Sequence, residues 1–132
     1  MSELLEKARS YEAKKIAATD KESKPLFHIS APAGWINDPN GFSVYNGKIH
    51  LFYQYYPYLR EWGPMHWGHS TTSDMIKWEQ LPCVMAPDEE YDKKGCFSGS
   101  AIEADGKHVL VYTGVTRIKL PDGSEQERQN QC

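Results

Sequence analysis

The 132-residue sequence predicts an all-β fold made of β-propeller blades, with one short α-helix in front. Two features point to blades. Asn46-Gly47-Lys48, followed by Ile49-His50-Leu51-Phe52-Tyr53, is repeated as Asp105-Gly106-Lys107, followed by His108-Val109-Leu110-Val111-Tyr112. Asn-Gly and Asp-Gly are the dipeptides that most readily adopt the two positive φ angles of a type I′ hairpin turn. The stretch between the two copies has room for two more strands, giving about four short strands per repeat, which is a propeller blade. A third feature sets the first residues apart, because Leu4, Leu5, Ala8, Tyr11 and Ile16 recur at helical spacing.

The elements follow in order. A helix is expected over residues 2–18, with Ser2 able to cap its first turn. Residues 19–24 are polar and end at Pro25, so 1–24 read as helix plus linker and 25–132 as the β domain. A hairpin spans 41–55, and its second arm alternates Ile49, Leu51 and Tyr53 on one face with His50, Phe52 and Gln54 on the other. Residues 65–73 and 76–81 supply two further strands. Asp122-Gly123 turns the chain into a last strand at 126–132, the third of a second blade. A closed propeller has typically four to eight blades, so these residues hold about the first two.

Composition narrows the chemistry. Fifteen basic residues are scattered among 18 acidic ones for a net charge of −3, with no basic stripe to follow a phosphate backbone or an anionic leaflet. Nucleic acid and membrane are therefore not expected partners. Met1 to Lys15 carry Glu3, Glu6 and Glu12 without a continuous apolar run, so a cytoplasmic location is expected. Cys83, Cys96 and Cys132 form no C-x-x-C pair and read as small apolar residues.

The chemistry centres on Trp35-Ile36-Asn37-Asp38-Pro39-Asn40-Gly41, expected as a loop just before the first strand. Pro39 biases Asp38 toward extended backbone and Asn40-Gly41 turns the chain into the hairpin, so the Asp38 carboxylate stands on a stiff support. A nucleophilic carboxylate needs such rigidity, although Asn37 and Asp38 could equally serve only to hydrogen-bond a turn. Gln54, Trp62, Trp67 and Phe97-Ser98-Gly99-Ser100 also fall near strand ends. Aromatic faces and amide or hydroxyl groups are what a sugar ring requires. Trp62 is expected at a pocket rim, whereas Trp67 and Trp78 are expected in the core. His66 and His69 alternate along a strand with no third ligand in view, and read as hydrogen-bonded blade residues.

The motif at 35–41 resembles the signature of glycoside hydrolase family 32, which includes invertases, sucrose-6-phosphate hydrolases, inulinases and levanases. The resemblance continues through Phe52-Tyr53-Gln54, Glu61-Trp62-Gly63, His66-Trp67-Gly68-His69, Trp78 and Phe97-Ser98-Gly99-Ser100, and covers about Pro25 to Cys132. Ile36 stands where many members carry Met. The resemblance implies a five-bladed propeller, normally followed by a β-sandwich that these residues do not include. It also implies hydrolysis of sucrose, sucrose 6-phosphate or fructan with retention of configuration, without metal or organic cofactor. Asp38 would be the nucleophile, and Trp35, Asn37, Gln54, Trp62, Phe97 and Ser98 would contact the fructosyl unit. The family's Arg-Asp-Pro motif and its Glu-Cys motif, whose Glu is the acid/base, do not occur here, so these residues alone are expected to be inactive. An inverting arabinanase-like glycosidase and a non-catalytic sugar-binding propeller remain the alternatives.

Overall fold

The computed structural model describes residues 1–132, the side chain of Lys21 excepted. Helix α1 spans Glu3–Ala18, and the Ser2 hydroxyl caps it by accepting from the Leu5 amide at 3.2 Å. Glu3 and Glu6 in the first turn and Lys15 in the last complement the helix dipole. Lys21–Ser23 form a single 3-10 turn within the linker. Farther along, the Lys24 ammonium donates to the carbonyls of Ala31 and Pro32, tying the linker to the approach to the first strand.

Seven strands follow in two antiparallel meanders. β1 (Trp35–Tyr45), β2 (Lys48–Tyr56), β3 (His66–Thr72) and β4 (Glu79–Met85) form one sheet in that order, and β5 (Gly95–Ala104), β6 (Lys107–Lys119) and β7 (Glu125–Gln131) form the other. Asn46 and Gly47 have φ of 49° and 72°, Asp105 and Gly106 of 51° and 71°, so both predicted hairpin turns carry paired positive angles. The first strands of the two sheets, β1 and β5, lie against each other. No helix of the described residues is long and apolar enough to cross a membrane.

Two expected boundaries need correction. β1 begins at Trp35, so the 35–41 motif is a distorted strand and not a loop before one. β4 begins at Glu79, three residues later than expected, and runs to Met85. The turn between β3 and β4 consumes the intervening amides. The Thr72 hydroxyl accepts from the amides of Asp74 and Met75, the Asp74 carboxylate accepts from those of Ile76 and Lys77, and Met75 has φ of 61°. With their N–H groups taken locally, those residues cannot join the ladder. Trp78 is corrected too. It is half-buried beside Ile16, Pro25 and Ile29 rather than in the core.

The first sheet is covered on both faces, and β2 supplies the alternation. Tyr53 and Tyr55 pack with Ala8 and Cys83 beneath α1, with Leu5, Ile29 and Ile36 around them. Phe52 points the other way and packs with Trp67 and Cys96 between the sheets, joined by Val84, Met85, Ala101, Leu110 and Tyr112. Helix α1 is also fastened to β4. Pro82, which has no N–H, lies where β4 slips out of register with β3 between the Trp67/Met85 and His69/Leu81 pairs. The adjacent Cys83 N–H donates to the buried Glu12 carboxylate at 3.0 Å, and its carbonyl accepts from Arg9 Nε at 2.7 Å. Burial raises the Glu12 pKa, opposed by the Cys83 amide and more weakly by Arg9 and Lys24. Glu12→Ala should therefore cost about 1–3 kcal/mol by stranding the Cys83 amide. Denaturant titration of the protein checks this, with Glu6→Ala, on the same helix but not buried, expected to lie near wild type.

The far end of the seam between the sheets is lined by histidines. His50 Nδ1 lies 2.8 Å from His69 Nε2, and His108 Nε2 lies 2.9 Å from the Ser43 hydroxyl. His50 Nε2 faces the Tyr45 carbonyl, which can only accept, so His50 carries its proton there and receives the His69 N–H on Nδ1. Phe52 stacks on His69 at 4.3 Å, and Tyr45 stacks on His108 at 4.7 Å. Burial, reinforced by His50 and His108, pushes the His69 imidazole down to about 4 from 6.5. The unfolded chain takes up that proton near pH 6.5 while folded His69 does not until about pH 4. Stability from this group is thus complete above pH 6.5 and falls as the pH drops toward 4. Thermal melts from pH 7 to 4.5 should show a shallower decline for His69→Gln, which keeps a donor toward His50 without a titrating ring.

Candidate active site

Two β-bulges build the site. In β1, Ile36 pairs with Tyr55 and Pro39 with Tyr53, so Asn37 and Asp38 together face the single residue Gln54. A second irregularity places Gly41 and Phe42 between the Asn40/Phe52 and Ser43/His50 pairs. The sequence dictates both distortions. Pro39 supplies no N–H to a ladder, and Gly41 takes φ of 56° with its Cα so close to the Phe52 ring that an added Cβ would come within 2.6 Å of it. A bulge re-aims the residues it carries. Asn37 and Asp38 are exposed, and Asp38 makes no side-chain hydrogen bond among the described residues, whereas Asn40 is buried.

The second bulge is in β5. Phe97 pairs with Thr113 and Gly99 with Tyr112, leaving Ser98 as the extra, exposed residue. Gln54 joins the two bulges. It is buried, and its amide nitrogen donates to the Cys96 carbonyl at 3.0 Å, which commits one end of the amide and leaves the oxygen as the acceptor. The Trp67 indole donates to the Phe97 carbonyl at 3.2 Å, and the Cys96 amide donates to the Met65 carbonyl at 2.8 Å. Trp62 is 58% exposed and meets the half-buried Phe97 edge-on at 6.4 Å. Trp35 is half-buried at the start of β1, opposite Tyr56.

Of the residues singled out from sequence, Asn37, Asp38, Gln54, Phe97, Ser98 and Trp62 thus follow one another along a single connected path, with Trp35 at its margin. Gln54 lies two residues before the end of β2 rather than at it. Trp67 is fully buried, as expected of a core aromatic, yet it also bonds the site's backbone. His66 donates from Nδ1 to the Pro64 carbonyl at 2.8 Å, and burial lowers its pKa to about 4.

A further residue, without a signal in the sequence, supports the strand that carries Phe97. Asp92 is fully buried and accepts from the Tyr112 hydroxyl at 2.7 Å and from the Glu89 amide at 2.8 Å, with the Cys96 thiol beside it. Burial, followed by Asp92, pushes the Cys96 thiol pKa well up and keeps it an inert apolar filler. Asp92 sits in a lysine-rich turn ahead of Gly95, a setting whose only sequence signal is that of a surface turn. Chemically, the site offers a free carboxylate on a bulged strand, an amide oxygen, a hydroxyl and an aromatic wall, the combination that holds a sugar ring.

Comparison with known proteins agrees with this geometry. Residues 28–132 match the model of the glycosyl hydrolases family 32 N-terminal domain. A sucrose-6-phosphate hydrolase of Escherichia coli is 48% identical over 108 residues, 82% of this chain and 23% of that protein. A levanase of Bacillus subtilis is 48% identical over 99 residues, 75% of this chain and 14% of that protein. The chain therefore spans less than two thirds of the length of these relatives. Among solved structures, a β-fructofuranosidase of Bombyx mori superposes with a TM-score of 0.79 at 45% identity, covering 96% of this chain and 26% of that one. The sucrose-6-phosphate hydrolase of Lactobacillus gasseri superposes at 0.74 and 36% identity, covering 92% and 25%.

The exposures of Trp62 and Trp78 set a test of rim against scaffold. Trp62→Ala should leave folding stability within about 0.5 kcal/mol of wild type and weaken sugar binding several-fold. Trp78→Ala should instead cost about 1 kcal/mol, less than a core tryptophan would, with little change in binding. Denaturation curves and binding isotherms on both variants check the pattern.

Proposed function

The chain belongs to glycoside hydrolase family 32, and we propose that the protein it comes from hydrolyses the β-fructofuranosidic bond of sucrose or sucrose 6-phosphate, with Asp38 as nucleophile. The observation that carries this reading is the pair of bulges joined through Gln54. Asn37-Asp38 lies opposite Gln54 across the first bulge, and the Gln54 amide bonds the strand that carries Phe97 and Ser98. Relatives named sucrose-6-phosphate hydrolase, at 48% and 46% identity, support the choice of substrate.

In this mechanism the Asp38 carboxylate attacks C2 of the fructosyl unit while an acid protonates the departing glycosidic oxygen. A covalent fructosyl ester forms, and water then cleaves it with net retention. Asn37 and the Gln54 oxygen orient fructose hydroxyls, Ser98 adds a hydroxyl contact, and Trp62, Phe97 and Trp35 line the ring's apolar surface. The acid/base is a Glu from elsewhere in the protein, since no Glu-Cys pair occurs here. A retaining pair stands about 5 Å apart, which sets where that Glu must reach. The full propeller has five blades, of which these two sheets are the first two. Its charge confines a sugar phosphate to the compartment where it forms, so the phosphorylated substrate carries a cytoplasmic location with it.

Asp38→Asn in the full-length protein should preserve the fold and reduce sucrose turnover by several orders of magnitude, because an amide cannot form the ester. Steady-state kinetics with sucrose and its 6-phosphate check this. A variant within about tenfold of wild type would remove Asp38 from the nucleophile's role.

A further inference from the structure

We propose that Trp67 is a positioning residue for the fructosyl pocket: its indole N–H holds the Phe97 carbonyl and thereby sets the bulge that aims Phe97 and Ser98 toward the Asp38 strand. The proposal rests on the fructosidase reading of this site. It concerns a residue that has no access to substrate, since Trp67 is 0% exposed.

The β5 ladder to β6 is interrupted at the bulge and resumes on either side of it. Ser98 has no partner on β6, Gly99 carries no side chain to pack, and the strand begins at Gly95 with φ of 151°. Its position is fixed from the other sheet. The Cys96 amide, the Cys96 carbonyl and the Phe97 carbonyl, which lie in succession along the chain, are bonded by the Met65 carbonyl, the Gln54 amide and the Trp67 indole in turn.

Gln54 and Trp67 are directly paired across β2 and β3, so they project side by side from one face and receive two consecutive carbonyls. The same Gln54 lies opposite the Asn37-Asp38 bulge. The pair therefore gauges the separation between the strand bearing the nucleophile and the strand bearing the pocket wall. Trp67 is wedged between Phe52 at 5.7 Å and Tyr112 edge-on at 6.2 Å, so its N–H cannot swing away. A reacting pair displaced by about 1 Å can lose on the order of 10²-fold in rate, so a bond this remote from the chemistry has leverage on it.

The test uses the full-length protein with Trp67→Phe, which keeps an aromatic ring and removes the donor. Leu110→Ala serves as the control, since it opens the same inter-sheet cluster without any bond to the bulge. Trp67→Phe should lower kcat/KM for sucrose by about 10- to 100-fold, while Leu110→Ala should stay within about threefold at a matched loss of Tm. In a Ser98→Ala background the Trp67→Phe effect should shrink, because the two act through one contact. Hydrogen exchange of the amides from Gly95 to Gly99 should quicken in Trp67→Phe and not in the control. Equal kcat/KM losses in the two variants, strict additivity with Ser98→Ala, or unchanged exchange would each overturn the proposal. If wild-type protein cleaved no fructoside, the functional reading would fall, while the exchange comparison would still decide whether Trp67 holds the bulge.

Discussion

An antiparallel strand that sets two residues against one must bend and turn its extra residue out of the ladder, and this chain places that constraint at Asn37-Asp38 opposite Gln54. A second bulge at Ser98 does the same in the neighbouring sheet. Neither bulge would specify a site alone, because each only frees a residue from pairing. Their relation is set by Gln54, whose backbone belongs to the ladder facing the first bulge and whose amide bonds the strand of the second. The glycine at 41, the aromatic layer of Phe52 and Trp67, and the turn held by Asp92 all keep those two strands at one separation.

Burial on both faces of the first sheet makes this arrangement stiff. One face packs on the second sheet, and the other receives α1, so β2 is apolar or hydrogen-bonded on both sides over most of its length. A sheet covered on both faces cannot slip register without moving an entire set of side chains into the wrong layer. The rigidity suits a nucleophile that must meet a carbon centre accurately. Titratable groups are drawn into the same packing. Burial pushes the His69 imidazole well below its ordinary range, and Glu12 is held beneath the helix by the one backbone site that Pro82 leaves irregular.

The local features were legible in the sequence, and the features that depend on two distant segments were not. The helix, its Ser2 cap and both type I′ turns follow from side chains acting on neighbouring backbone, so reading along the chain finds them. Asn37, Asp38, Gln54, Trp62, Phe97 and Ser98 can also be singled out along the chain as candidates, because the motif is distinctive and amide, hydroxyl and aromatic groups suit a sugar. The bulged geometry of residues 35–41 was not legible. Asp-Pro-Asn-Gly has the composition of a loop, and only pairing with Tyr53 and Tyr55 makes it a strand. Trp78 departs from the usual burial of tryptophan because the turn closed by Asp74 leaves it at the margin. Asp92 gave no sign because its partners, Tyr112 and Cys96, come from other strands.

The fastening of α1 to Cys83 has a consequence for the order in which this structure is assembled. The helix precedes these strands in the chain, yet its anchor lies 71 residues downstream of Glu12, on the last strand of the first sheet. Until β4 has paired, neither the Glu12 carboxylate nor the Arg9 guanidinium has its partner, and the tyrosine face it covers is incomplete. The four strands are joined by short local hairpins and can close quickly, whereas docking the helix requires a long loop to close first. The helix, made before these strands, is thus seated after them, and its arrival marks the first sheet as finished.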